Sequence, residues 1–133
     1  MAMNNPYQAY QQNSVSTASP GELTLMLYNG CLKFIRQATK ALEQSNIEEK
    51  NTNLIKAQKI ITELMITLNM DLDISKNMII MYEYLNHRLI EANTKNDKEI
   101  LKEVEGHVTE FRDTWKQVIQ NARKQQYGQG GQA

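Results

Sequence analysis

A chain of 133 residues, 41% apolar and 23% charged, is long enough for one domain with its own core. Its 15 basic and 15 acidic residues cancel, so no basic surplus draws it to nucleic acid or an anionic membrane. One cysteine, Cys31, permits no intramolecular disulfide and suits a reducing compartment.

The first residues, Met1 to Tyr7, lack the basic stretch and apolar run of a signal peptide, and no later run reaches bilayer length. A cytoplasmic protein without membrane insertion is expected. Residues 1–18 read as an N-terminal arm carrying Tyr7, Tyr10 and Val15. Ser19-Pro20-Gly21-Glu22 supplies an N-cap serine, a proline at the first helical position and a glutamate for a capping box. A first helix over about 20–44 follows, with Leu23, Leu27, Phe34, Ala38 and Ala41 at helical spacing.

Asn46 caps the second helix, with Glu48 and Glu49 favourable in its first turn. Its seam is Ile47, Leu54, Ala57, Ile61, Leu64 and Leu68, and Asn69 to Ser75 reads as a connection. The third helix carries Met78, Tyr82, Leu85, Leu89 and Ala92 on one face. Asn93 to Asp97 is polar and ends in a cap residue. The fourth seam alternates threes and fours through Leu101, Val104, Val108, Phe111, Trp115, Val118 and Ala122, with Gly106 off it. After Arg123 the Gln- and Gly-rich composition predicts a disordered tail, 123–133. The expected fold is all-α: an antiparallel up-and-down four-helix bundle over 19–122 with the arm as a cap.

Three segments carry more apolar residues than one core stripe needs: Leu25-Met26-Leu27-Tyr28, Leu64-Met65-Ile66 and Met78-Ile79-Ile80-Met81-Tyr82. Antiparallel topology brings all three to one end, where Trp115, Val118 and Ile119 join them. The other end holds Glu43, Glu48, Glu49, Lys50, Lys98, Glu99, Lys102 and Glu103. Met65, Met70, Met78 and Met81 suit a surface that repacks around a partner. The expected partner-binding set is Tyr7 and Tyr10 as a displaceable cover, with Leu25, Met26, Tyr28, Met65, Ile66, Met78, Ile79 and Met81. Alternatively, these residues only widen the core.

Motifs for chemistry are missing. His87 and His107 lack zinc-site or di-iron partners, Glu83 and His87 read as an exposed pair, and Asp71-Leu72-Asp73 is no EF-hand loop. Cys31 reads as a quiet, partly buried thiol, and no Walker, Rossmann or nucleophile-elbow motif occurs. A non-enzyme without metal or cofactor is expected. A histidine phosphotransfer bundle is a distant rival, and a generic helix-binding adaptor or self-assembling bundle a nearer one.

Asn5-Pro6-Tyr7-Gln8-Ala9-Tyr10, Thr17 to Leu23 and Leu27-Tyr28-Asn29-Gly30 closely resemble the flagellar secretion chaperone family known as FliS. So do Leu68-Asn69 with Leu72-Asp73, Tyr82 to Leu85 with Arg88-Leu89, and Val104 with Phe111 to Trp115. The resemblance implies a chaperone that wraps the carboxy-terminal helical segment of flagellin around itself, blocks premature polymerisation and delivers it to the flagellar type III export gate, a membrane protein. It also implies an arm that covers part of the binding surface. A monomer or weak homodimer is expected, since an uncovered apolar patch invites self-association.

Overall fold

The structure, a computed structural model, describes the backbone of residues 20–132 and the side chains of residues 21–124. Four helices follow in chain order: α1 Pro20–Glu43, α2 Ile47–Ile66, α3 Asp73–Lys95 and α4 Lys98–Gln132. Each packs on its neighbour in sequence, and α4 closes the ring against α1. This is the expected antiparallel four-helix bundle.

Local chemistry sets the boundaries. Ser45 turns the chain between α1 and α2 at φ 57. The Asn46 side-chain oxygen then accepts from the Glu49 backbone N–H at 3.1 Å, while its amide donates to Glu49 Oε2 at 3.0 Å. That reciprocal pair occupies an otherwise unpaired donor at the start of α2. Asn96, left-handed at φ 53, closes α3. Asp97 Oδ1 accepts from the Glu99 N–H at 2.9 Å and opens α4. Proline at the start of α1 is as expected, but the Ser19 cap lies outside the described residues.

The second connection is shorter than the sequence suggests. It spans 67–72 rather than 69–75, because α2 stops at Ile66 and α3 already starts at Asp73. Asn69 Oδ1 accepts from the Asp71 N–H at 3.1 Å and turns the chain early, and Ser75 is buried inside the first turns of α3. Helical backbone continues in α4 to Gln132, past residue 122 where the sequence reading ends the bundle; no proline interrupts it.

The core is built from the predicted seams: Leu27, Phe34, Ala38 and Ala41; Leu54, Ala57, Ile61 and Leu64; Tyr82, Leu85, Leu89 and Ala92; Leu101, Val104 and Val108. Several expectations need correction. Ile47 is 49% exposed, since it sits at the first residue of α2, while Ile60, off the predicted seam, is buried. Val118 and Ala122 are exposed although α1 still reaches this stretch of α4, where Gly21 faces Trp115 and Ile119 and Arg123 pairs with Glu22; Val118 opens instead on an apolar groove. Cys31 is fully buried rather than partly so, and burial pushes its thiol up to about 12.

Lys50, expected at a solvated charged pole, is also buried. Its Nζ donates to the Asn93 backbone oxygen at 3.0 Å and to Asn93 Oδ1 at 2.7 Å, and so caps carbonyls near the end of α3. Burial holds its ammonium below the ordinary lysine range. Gly106 faces open space, as its off-seam position requires.

A polar clasp joins α3 to α4. Glu103 Oε2 accepts from the Tyr84 hydroxyl at 2.5 Å, and Oε1 accepts from Arg88 Nε at 2.9 Å and Nη2 at 2.7 Å. Arg88 also reaches Glu91, which holds Lys95 at 2.8 Å. The Tyr84 hydroxyl first, then the Arg88 guanidinium, hold Glu103 below the usual carboxylate range. A depressed carboxylate lends stability above its unfolded pKa of about 4.3, and loses it as pH falls through the lower folded value. The wild-type urea midpoint is therefore expected to decline below about pH 4.3, and Glu103→Gln to flatten that decline. Parallel pH curves for the two proteins would show that the clasp contributes nothing.

Candidate functional site

At one end of the bundle lies an apolar groove of about 620 Å³. It is bounded by the start of α1, the end of α2, the 67–72 connection, the start of α3 and the middle of α4. Apart from the 67–72 connection, these elements carry the apolar surplus that the sequence brings to one end.

The floor is aromatic and buried. Tyr28 and Tyr82 line it at 3% and 2% exposure, beside Leu64 and half-buried Phe111. Phe111 stacks on Tyr28 at 6.2 Å between ring centroids and meets Tyr82 edge-on at 6.1 Å. The two tyrosine hydroxyls share a hydrogen bond of 2.5 Å, which ties α1 to α3 beneath the groove. Burial raises both phenols above their ordinary range, so both stay neutral at physiological pH.

The walls are apolar and open to solvent. Leu72 is 52% exposed, Ile74 65% and Val118 49%. Met78 and Trp115 are half-buried between wall and core. The Trp115 indole N–H donates to the Gly21 carbonyl at 2.7 Å, which fixes the ring against the first turn of α1. Glu110 is the charged residue of the lining; the remainder offers apolar area with a few hydroxyls and one amide. Such a trough suits the apolar side of a helix or an extended chain.

The sequence-predicted residues divide. Tyr28 and Met78 line the groove. Met65 packs on the core beside it. Leu25, Met26, Ile79 and Met81 are half-buried outside the lining, and Ile66, also outside it, is 70% exposed. Tyr7 and Tyr10 lie outside the described residues. Leu68, Leu72, Ile74 and Phe111 join the lining without having been singled out as contacts. A signal for the first three existed: Leu68, Met70, Leu72 and Ile74 alternate with Asn69, Asp71 and Asp73, an apolar-polar alternation inside what reads as a polar connection.

The surplus is concentrated at this end, though not confined to it. Ile66, Met70, Leu72, Ile74, Ile80 and Val118 are the exposed large apolar side chains near the groove, whereas Ile47, Ile55, Tyr84 and Ile90 lie elsewhere. No helix among the described residues is long and apolar enough to cross a membrane.

Residues 3–122 match the family model described as flagellar protein FliS. The flagellar secretion chaperone FliS of Bacillus subtilis (strain 168) is 63% identical over 131 residues, covering 98% of either chain. The flagellar secretion chaperone FliS of Vibrio cholerae serotype O1 is 34% identical over 122 residues, 87% of this chain and 90% of the relative. Among solved structures, one described as a flagellar chaperone from bacteria superposes with a TM-score of 0.73 at 19% identity, over 87% of this chain and 96% of the other; that likeness is one of fold.

Proposed function

The chain belongs to the FliS family of flagellar secretion chaperones, and from that premise we propose that its groove binds the carboxy-terminal helical segment of flagellin. In the cytoplasm the complex keeps flagellin from polymerising early and carries it to the membrane export gate. The observation that most supports this reading is the apolar groove, whose walls include Leu72, Ile74 and Val118 at about half exposure or more.

The energetics follow from folding coupled to binding. A flagellin segment that is unstructured when free loses several kcal/mol on ordering, which broad apolar contact must offset. The groove supplies that contact, and the aromatic floor beneath it is already packed, so little of the chaperone itself needs ordering. Tyr7 and Tyr10 act as a reversible cover for this surface, their rings screening apolar area while their hydroxyls stay wet. A cover lowers apparent affinity by the fraction of time it is closed, and in return shields an unloaded groove from unwanted contacts.

Calorimetric titration with a peptide spanning the flagellin carboxy-terminal helices tests the proposal. A one-to-one complex with a negative heat-capacity change and a gain of helical circular dichroism is expected. Equal affinity for an unrelated amphipathic helix would instead favour a generic helix-binding adaptor. No heat and no helix gain would remove flagellin as the occupant.

A further inference from the structure

The groove floor is not wholly apolar. Tyr28 and Tyr82 stand on α1 and α3, the diagonal helices of the bundle, so their hydroxyls meet across its middle. The 2.5 Å bond between them is the only hydrogen bond of either hydroxyl among the described residues. A phenol carries one proton and accepts through its oxygen. Burial keeps both phenols protonated at physiological pH, and their mutual bond uses one of the two protons. The second O–H has no acceptor among the described residues, and both tyrosines line the groove. Leu64 and Phe111, which line it beside them, carry no acceptor on their side chains.

A ligand that fills the trough excludes solvent from that donor. If its facing side is wholly apolar, the proton stays unpaired in a dry site, and an unsatisfied buried donor weakens the complex. A ligand with a well-placed oxygen meets the proton and avoids that loss. An ionised carboxylate is a poor fit, because it would shed its water in an apolar lining that already holds Glu110. Taking the groove as the flagellin site, we infer that the spare phenol proton of the Tyr28–Tyr82 pair is a specificity determinant, donating to a neutral oxygen of the bound segment. Backbone carbonyls inside a helix are already paired, so along a helix that oxygen belongs to an Asn, Gln, Ser or Thr side chain. At a helix end or in an extended link it is a backbone carbonyl.

Phenylalanine variants of the full chain separate this role from plain packing. In Tyr28→Phe or Tyr82→Phe alone, the remaining hydroxyl loses its partner but keeps its proton. Each single variant is therefore expected to show a lower urea midpoint and an affinity for the flagellin carboxy-terminal peptide close to wild type. The double variant, Tyr28→Phe with Tyr82→Phe, removes both polar groups at nearly constant shape. Its midpoint should return toward wild type, while peptide affinity drops about tenfold, the worth of one hydrogen bond. Alanine replacement of each Asn, Gln, Ser and Thr of the peptide needs no variant chaperone. One replacement is expected to weaken binding to wild type about tenfold and to have no further effect on the double variant. Where the double variant loses affinity but no alanine peptide does, an amide-to-ester scan of the peptide must find the carbonyl; an empty scan overturns the inference. Wild-type affinity in the double variant also overturns it and leaves flagellin in the groove, as do single variants that lose as much as the double. A peptide that fails to bind wild type removes the occupant, and the inference falls with it.

Discussion

Val118→Asp is expected to weaken binding of the flagellin carboxy-terminal segment about 100-fold, equivalent to roughly 2.7 kcal/mol. Val118 is 49% exposed on the α4 wall of the groove, so its carboxylate replacement stays hydrated while the groove is empty. Once occupied, the same position loses water against an apolar ligand, and a desolvated, unpaired carboxylate costs several kcal/mol. The loss therefore falls on the complex and not on the fold, and thermal unfolding of the variant should match wild type. Met78→Asp, on the opposing wall, should lose similar affinity and also some stability, because Met78 is packed against the core. Ile79→Asp, outside the lining, should lose less. Calorimetric titration paired with circular dichroism separates these cases. Undiminished affinity in Val118→Asp would mean that the occupant lies elsewhere.

The contrast between Val118 and Val108 shows how far sequence alone carries. Both sit on the same uninterrupted seam of α4, yet Val108 is buried and Val118 half-exposed. Periodicity reports which side of a helix is apolar; it does not report whether that side meets a neighbouring helix or opens on a groove, as it does at Val118. The helix number, the middle of each seam and the Asn46 and Asp97 caps were legible because each depends on residues within a turn or two, whereas Ile47, Val118 and Ala122 at the seam ends are exposed. Lys50 was not, since its burial depends on Asn93, which lies 43 positions away and across a helix pair. The sharing of one end by the apolar surplus was legible from topology. Membership of the groove lining was not, because it depends on how side chains of all four helices and the 67–72 connection meet. Leu72 and Ile74 reach the wall because α3 starts earlier than its polar leader suggests.

Position along the bundle also separates stabilising apolar residues from binding ones, and Leu89→Ala measures the difference. Leu89 is fully buried, in the half of α3 that the clasp holds against α4. Its truncation is expected to cost about 3 kcal/mol, the sum of lost transfer energy and an unfilled cavity. Met78→Ala, three turns earlier on the same face, should cost below about 1 kcal/mol, because the groove already leaves that side chain partly in water. Urea denaturation of the two variants reads both losses directly, with the slope unchanged if the unfolded states are alike. Should Met78→Ala cost as much as Leu89→Ala, the groove wall is closed core in solution. The apolar surplus at this end would then serve the fold, leaving nothing over for a partner.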